Sequence, residues 1–263
     1  MAGPLGRGKD LRIIGKSTSA KITVGGGFES LFQGNTHFRQ TKRQEIKKLA
    51  TEGQHPEFLF LGCADSRVSE GTIFNADPGT LFAERSIANL YQPKRDLTTK
   101  AILAYGVNHL KVKHIIVMGH YGCGGVGAAI ASPPKAPWDE STKAIQRWIM
   151  PIRRVYAEST RPEIVALRNA NKGKSVVPSP KLQDPGFRAL VEENIKNTVK
   201  NVANDEIIKQ HFSNPSLGEI YVHGWVYDIE NGEIRDIGVS VGPPGKAIPQ
   251  APFPAVAKLA AKM

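Results

Sequence analysis

Two short apolar runs constrain this chain more than anything else in it: "EFLFLG" at residues 57–62 and "KHIIVMGH" at 113–120. Both are strand-length and lack polar alternation, as expected of strands buried on both faces of a parallel sheet. "GTLFAERS" (79–86) is a third candidate strand. Helical spacing appears between and after them. "TKAILAYGVNHL" repeats apolar residues at Ile102, Leu103, Val107 and Leu110, and "FRALVEENIKNTVKNV" does so from Phe187 to Val202. A further helix opens at "GGVGAAIA", and "EIYVHGWVYDIENGEIRDIGVSV" reads as two strands joined by an Asn231-Gly232 hairpin turn. Strands alternating with helices imply an α/β fold, a mostly parallel central sheet flanked by helices. In a doubly wound order 2-1-3-4-5, strands one and three are neighbours at the switch point. Their carboxyl ends, at Gly62-Cys63 and Gly119-His120, then open onto one crevice.

The rest organises around that sheet as one domain over residues 1–263. An N-terminal helical arm covers about 1–53, and its first helix has Phe28, Leu31 and Phe32 on one face. A basic, Pro-rich insertion covers about 133–185, with one amphipathic stretch interrupted at Pro151. A Pro-rich tail at about 242–263 is extended before a short final helix. The net charge is +11, and from Ser141 to Lys181 nine Lys/Arg face only two Asp/Glu. No helix-turn-helix, zinc-finger or RNA-binding motif accompanies that charge, so a solvated or partner-facing surface is expected and no nucleic acid. No apolar run approaches the ~18 residues that span a bilayer, so no membrane is expected. The first residues lack the apolar core of a secretory signal, which points to the cytoplasm. Their basic, Ser/Thr-containing composition keeps a mitochondrial presequence as the alternative.

Two cysteines form no disulfide framework for a chain of 263 residues. In "GHYGCGG", His120 and Cys123 stand at i and i+3 in a strand-to-helix turn, a spacing that lets both bind one ion. Cys63 from the neighbouring strand completes a Cys2His set. Three such ligands with an open fourth position mark a catalytic Zn2+ site rather than a structural one. The same turn admits rivals. Gly122, Gly124 and Gly127 spell G-x-G-x-x-G, without an acidic residue closing a following strand. A redox pair is the other, without a C-x-x-C motif. In "LGCADSRVSE", Asp65 returns to the side of Cys63, where a free carboxylate would compete to become the fourth metal ligand in a closed state. Arg67 offers a planar fork of donors able to hold it off. An ordinary loop ion pair is the plainer alternative. The backbone N–H groups of Gly124 and Gly125, at a helix N-terminus, are candidates to face a developing anion, and Tyr121 is a candidate proton relay.

Cys-x-Asp-Ser-Arg followed by His-x-x-Cys-Gly-Gly resembles the β-class carbonic anhydrases. The likeness extends through "IANL" and "HLKVKHIIVMGHYGCGG", more loosely to "VHGWVYDIENG", from about Phe28 to Val241. It implies a parallel sheet of order 2-1-3-4 with an antiparallel fifth strand. It also implies a homodimer or homotetramer, Cys63, His120 and Cys123 as zinc ligands, and Asp65 and Arg67 as the catalytic dyad. The implied reaction is reversible hydration of carbon dioxide to bicarbonate and a proton by hydroxide held on zinc. A relative hydrolysing carbon disulfide or carbonyl sulfide, and a non-catalytic zinc-stabilised binding protein, are the alternatives. Three positions depart from the family pattern: Asp77 where plant-type members carry glutamine, Ser86 where asparagine is usual, and Phe60 where members with a regulatory bicarbonate pocket carry tryptophan. These bear on rate and regulation rather than on the zinc site.

Overall fold

A computed structural model describes residues 27–256. The presequence alternative and the final helix of the tail fall outside these residues. The chain divides into two units after Lys47. The first holds α1 (Phe28–Thr41) and the start of α2 (Arg43–Glu52). In α1 the expected apolar residues Phe28, Leu31 and Phe32 are all exposed.

The second unit continues with β1 (Phe58–Cys63), α3 (Glu70–Ile73), β2 (Leu81–Ser86), α4 (Leu97–Asn108), β3 (His114–His120) and α5 (Gly124–Ile130). Then come α6 (Glu140–Trp148), α7 (Met150–Glu158), α8 (Pro162–Asn171), α9 (Pro185–Ala203), α10 (Glu206–Ser213), β4 (Tyr221–Tyr227) and β5 (Ile234–Asp236). The sheet runs in the order β2-β1-β3-β4-β5, parallel except for β5, which pairs antiparallel with β4. This is the expected order.

Packing explains why the strands read as unbroken apolar runs. Leu59, Leu61, Ile115 and Val117 join Leu103 and Val107 of α4 and Ile195 and Val199 of α9 in one cluster. The alternate residues Phe60, Ile116 and Met118 join Val68, Trp225 and Ile234 in another. Both sets of side chains are buried, each large one contributing roughly 1.5–3 kcal/mol, so no position is left for a polar residue. Register then places Cys63 and His120 at the carboxyl ends of adjacent strands.

Segment 133–185 carries three helices, not one. α6 and α7 break at Ile149, and Pro151 falls in the first turn of α7, where its missing N–H costs little. Ile149, Ile152 and Ile164 are fully buried, so the segment contributes to the main core. Among the described residues no helix is long and apolar enough to cross a membrane.

Candidate metal centre

The Cys63, His120 and Cys123 donor atoms lie within 4.8 Å of one another, and all three residues are buried. Sequence separation of 57 to 60 residues is closed by the β1–β3 pairing alone. Between His120 and Cys123 the chain turns through Gly122 at φ 73°, a conformation strained for any side chain. A Cβ there would also approach Leu182 Cδ1 at 2.6 Å and Ile229 Cδ1 at 2.9 Å.

The donors are arranged as a metal would require. His120 Nδ1 donates to the Tyr121 carbonyl at 3.0 Å, which leaves the lone pair on Nε2. Nε2 is buried and has no hydrogen-bond partner. Burying an imidazole nitrogen unsatisfied costs about 1–3 kcal/mol, a cost that coordination removes. The two Sγ atoms are 3.9 Å apart. Hydrogen bonding from Cys123 brings the Cys63 thiol down to about 4, against the opposing effect of burial. The same contact, with burial, pushes Cys123 up, while the backbone N–H groups of Gly125 and Val126 act on its sulfur in the other direction. The contact between the sulfurs thus favours a thiolate on Cys63 over one on Cys123. The donor set fits a borderline-soft divalent ion such as zinc.

Asp65 lies beside this set, its Oδ2 3.8 Å from His120 Nε2. Arg67 binds both carboxylate oxygens, through Nε to Oδ1 at 2.9 Å and NH2 to Oδ2 at 2.7 Å, while its backbone N–H adds a third bond at 3.0 Å. This fork holds the Asp65 carboxyl well below the usual carboxylate range. Arg67 also reaches the Gly122 carbonyl at 3.4 Å, joining the two halves of the site.

Several supports were not legible as site residues. Arg85 donates to the Cys63 carbonyl at 3.0 Å and the Asp65 carbonyl at 2.6 Å, fixing the backbone that carries both side chains. Ser86 Oγ donates to the Leu90 carbonyl. The loop it stabilises packs on the metal turn, since a Cβ on Gly125 would lie 2.8 Å from Ile87 Cγ2. The space a Cβ on Gly124 would occupy is open. Tyr121 is buried and its hydroxyl donates to Glu192. Phe60 is fully buried against the edge of Phe74, and Asp77 is exposed after α3.

Sheet order, a three-donor metal site at the strand ends and a carboxylate restrained beside it define an α/β metalloprotein with chemistry at its switch point. The carbonic anhydrase family model matches residues 58–234. A carbonic anhydrase of Emericella nidulans is 33% identical over 215 residues, covering 80% of this chain and 83% of its own. A Coccomyxa β-carbonic anhydrase, solved in complex with acetazolamide, superimposes with a TM-score of 0.64 at 28% identity, over 85% of this chain and 89% of that one. A tetrameric β-carbonic anhydrase of Sordaria macrospora gives 0.65 at 27% identity, over 81% and 98%. The chain belongs to the β-carbonic anhydrase family.

Proposed function

We propose that this chain is a zinc enzyme that interconverts carbon dioxide with bicarbonate and a proton. The observation that carries the proposal is the buried Cys63–His120–Cys123 set with Asp65 held beside it by Arg67. Cys63, His120 and Cys123 would hold the ion, which when bound supplies Lewis acidity that brings the pKa of water toward neutrality.

The remaining work falls to the chain itself. Asp65 stays ionised and offers an acceptor that orients the proton of the attacking oxygen, turning a lone pair toward carbon dioxide. Arg67 keeps Asp65 ionised and keeps it from becoming a ligand. Gly125 is engaged with the Cys123 sulfur, so of the two glycines Gly124 is the one proposed to face the developing bicarbonate. Tyr121 is a poor relay. Its hydroxyl already donates to Glu192, and burial pushes its pKa well above the ordinary phenol value.

The same proposal includes a homodimer or homotetramer, consistent with the tetrameric Sordaria relative and with the exposed apolar residues of α1. A cytoplasmic site of action is part of it, with mitochondria, the location given for an Arabidopsis relative, as the alternative.

Stopped-flow hydration of carbon dioxide, paired with metal analysis, tests the proposal. One zinc per chain and activity that is lost on chelation and restored by zinc are expected. Fully metallated protein without hydration activity would overturn it.

A further inference from the structure

Tyr121 is held at three points. Its backbone N–H donates to the Tyr227 carbonyl at 3.0 Å, at the end of β4. Its ring lies 3.5 Å beneath the Arg188 guanidinium, a cation–π contact. Its hydroxyl donates to Glu192 Oε1 at 2.6 Å. Glu192 is itself buried, and its other oxygen accepts from Arg161 NH1 at 2.6 Å. Arg161 is the N-cap residue of α8, in the 133–185 segment that the sequence reads as a solvated or partner-facing surface.

The carbonyl of Tyr121 is the acceptor of His120 Nδ1–H. A metal-bound imidazole is oriented, and its tautomer set, by the partner of its other nitrogen. We infer that Arg161, Glu192 and Tyr121 form a positioning relay that fixes the His120 ring, making the 133–185 segment part of the support of the metal centre. The inference rests on His120 being a metal ligand. It assigns no residue to the chemistry: the three act through the carbonyl that His120 binds.

The relay has a built-in control. Tyr91 is another buried tyrosine whose hydroxyl donates to a carboxylate at 2.6 Å, that of Asp205, and this carboxylate is hydrogen-bonded within α10 and not to Tyr121 or His120. Tyr121→Phe and Tyr91→Phe therefore delete the same chemical group in the same kind of setting. Zinc affinity by chelator competition, and the visible spectrum of the cobalt-loaded protein, are measured on both, with urea unfolding as a common scale. Tyr121→Phe is expected to weaken zinc binding about 10- to 100-fold and to shift the cobalt bands, while Tyr91→Phe loses comparable stability with affinity and spectrum unchanged. Glu192→Gln reproduces the Tyr121→Phe effect, and Arg161→Lys recovers part of what Arg161→Met loses. Should Tyr121→Phe not fold, Glu192→Gln decides. Equal affinity and identical spectra in the two tyrosine variants, or in Glu192→Gln and the parent, would overturn the relay. Neither readout depends on turnover, so a failure here is distinct from failure of the hydration proposal.

Discussion

Asp65 and Arg67 are joined at three points with one residue between them, and the Asp65 carboxylate stands 3.8 Å from the buried, unpartnered Nε2 of His120. Distance and charge both favour Asp65 as a fourth ligand. What opposes this is the guanidinium, which occupies both oxygens. Arg67→Ala is therefore expected to let Asp65 close the site. Zinc content is retained, kcat/KM falls by about 100-fold or more, and the cobalt-substituted protein changes its spectrum. Arg67→Lys restores charge without the fork, and recovers little. Undiminished turnover in the alanine variant would show that Arg67 is no restraint.

Metal removal makes a separate prediction about the thiols. The hydrogen bond between the two sulfurs lowers the Cys63 thiol and raises Cys123, which favours the charge on Cys63 and the proton on Cys123. Alkylation requires the thiolate. After chelation, iodoacetamide is expected to label Cys63 ahead of Cys123, and zinc to protect both. Mass spectrometry of the labelled peptides reads the order; labelling that ignores zinc would remove both cysteines from the site.

The proximity of Cys63 and His120 was legible because each sits at the end of a run whose pattern names its structure, and Cys123 follows in the next turn. Leu59 to Gly62 and Ile115 to Gly119 could only be buried strands, and once paired they bring Cys63 and His120 together. The Asp65–Arg67 ion pair was legible too, since both residues are local to Cys63. The supports were not. Arg85 serves backbone carbonyls 20 and 22 residues away, and Glu192 meets Tyr121 across 71 residues. No periodicity encodes either pairing. The helices α8 and α10 are ten residues or shorter and are not anticipated from the sequence. In segment 133–185, Ile149 and Ile152 lie in the stretch that reads as amphipathic, whereas charge and proline masked Ile164, and all three pack into the core.

At the opposite ends of β3 and β4, His114 Nδ1 and His223 Nε2 meet at 3.0 Å, and His223 Nδ1 meets Ser240 Oγ at 3.0 Å. Burial, then the neighbouring His114, lowers His223 from 6.5 to about 4, and burial lowers His114 too. The folded value lies below the unfolded one, so the unfolded chain binds the proton first. Stability from this site is complete above pH 6.5 and is lost as pH falls toward 4, on the order of 3 kcal/mol for His223. Urea unfolding across that window should show a shallower pH slope in His223→Phe than in the parent. Matching slopes would mean that His223 is charged in the folded protein.

Gly119 precedes His120 in the central strand β3, and a Cβ there would lie 2.7 and 2.8 Å from Ile195 and 2.9 Å from Asn89 Oδ1. Neighbours on two different elements leave no common direction of relief. Gly119→Ala is expected to cost about 1–3 kcal/mol in urea unfolding, and to weaken zinc binding by displacing His120. A neutral substitution would imply that α9 can shift.

Arg153 of α7 closes the far end of the helix that begins at the metal turn. Its NH1 donates to the Ala129 and Ala131 carbonyls at 2.9 and 2.8 Å, and its NH2 to the Ala128 carbonyl and Gln146 Oε1, both at 2.8 Å. The last carbonyls of a helix have no partner within it, and α5 has only seven residues, so little else in it offsets their burial. A cation at a helix C-terminus also complements its dipole. One side chain from segment 133–185 thus satisfies two carbonyls of α5 and that of Ala131 just after it, while Cys123 is the N-cap residue at the other end. Arg153→Met keeps most of the aliphatic packing and removes all four bonds. We expect a loss of about 2–4 kcal/mol, faster amide exchange at the carboxyl end of α5, and Arg153→Lys intermediate, because an ammonium cannot span three carbonyls. Hydrogen exchange followed by mass spectrometry separates this from a general loss of stability: protection should fall in the peptide covering residues 124–131 before it falls in β3. Uniform loss across both would mean that Arg153 supports the core as a whole and not α5 in particular.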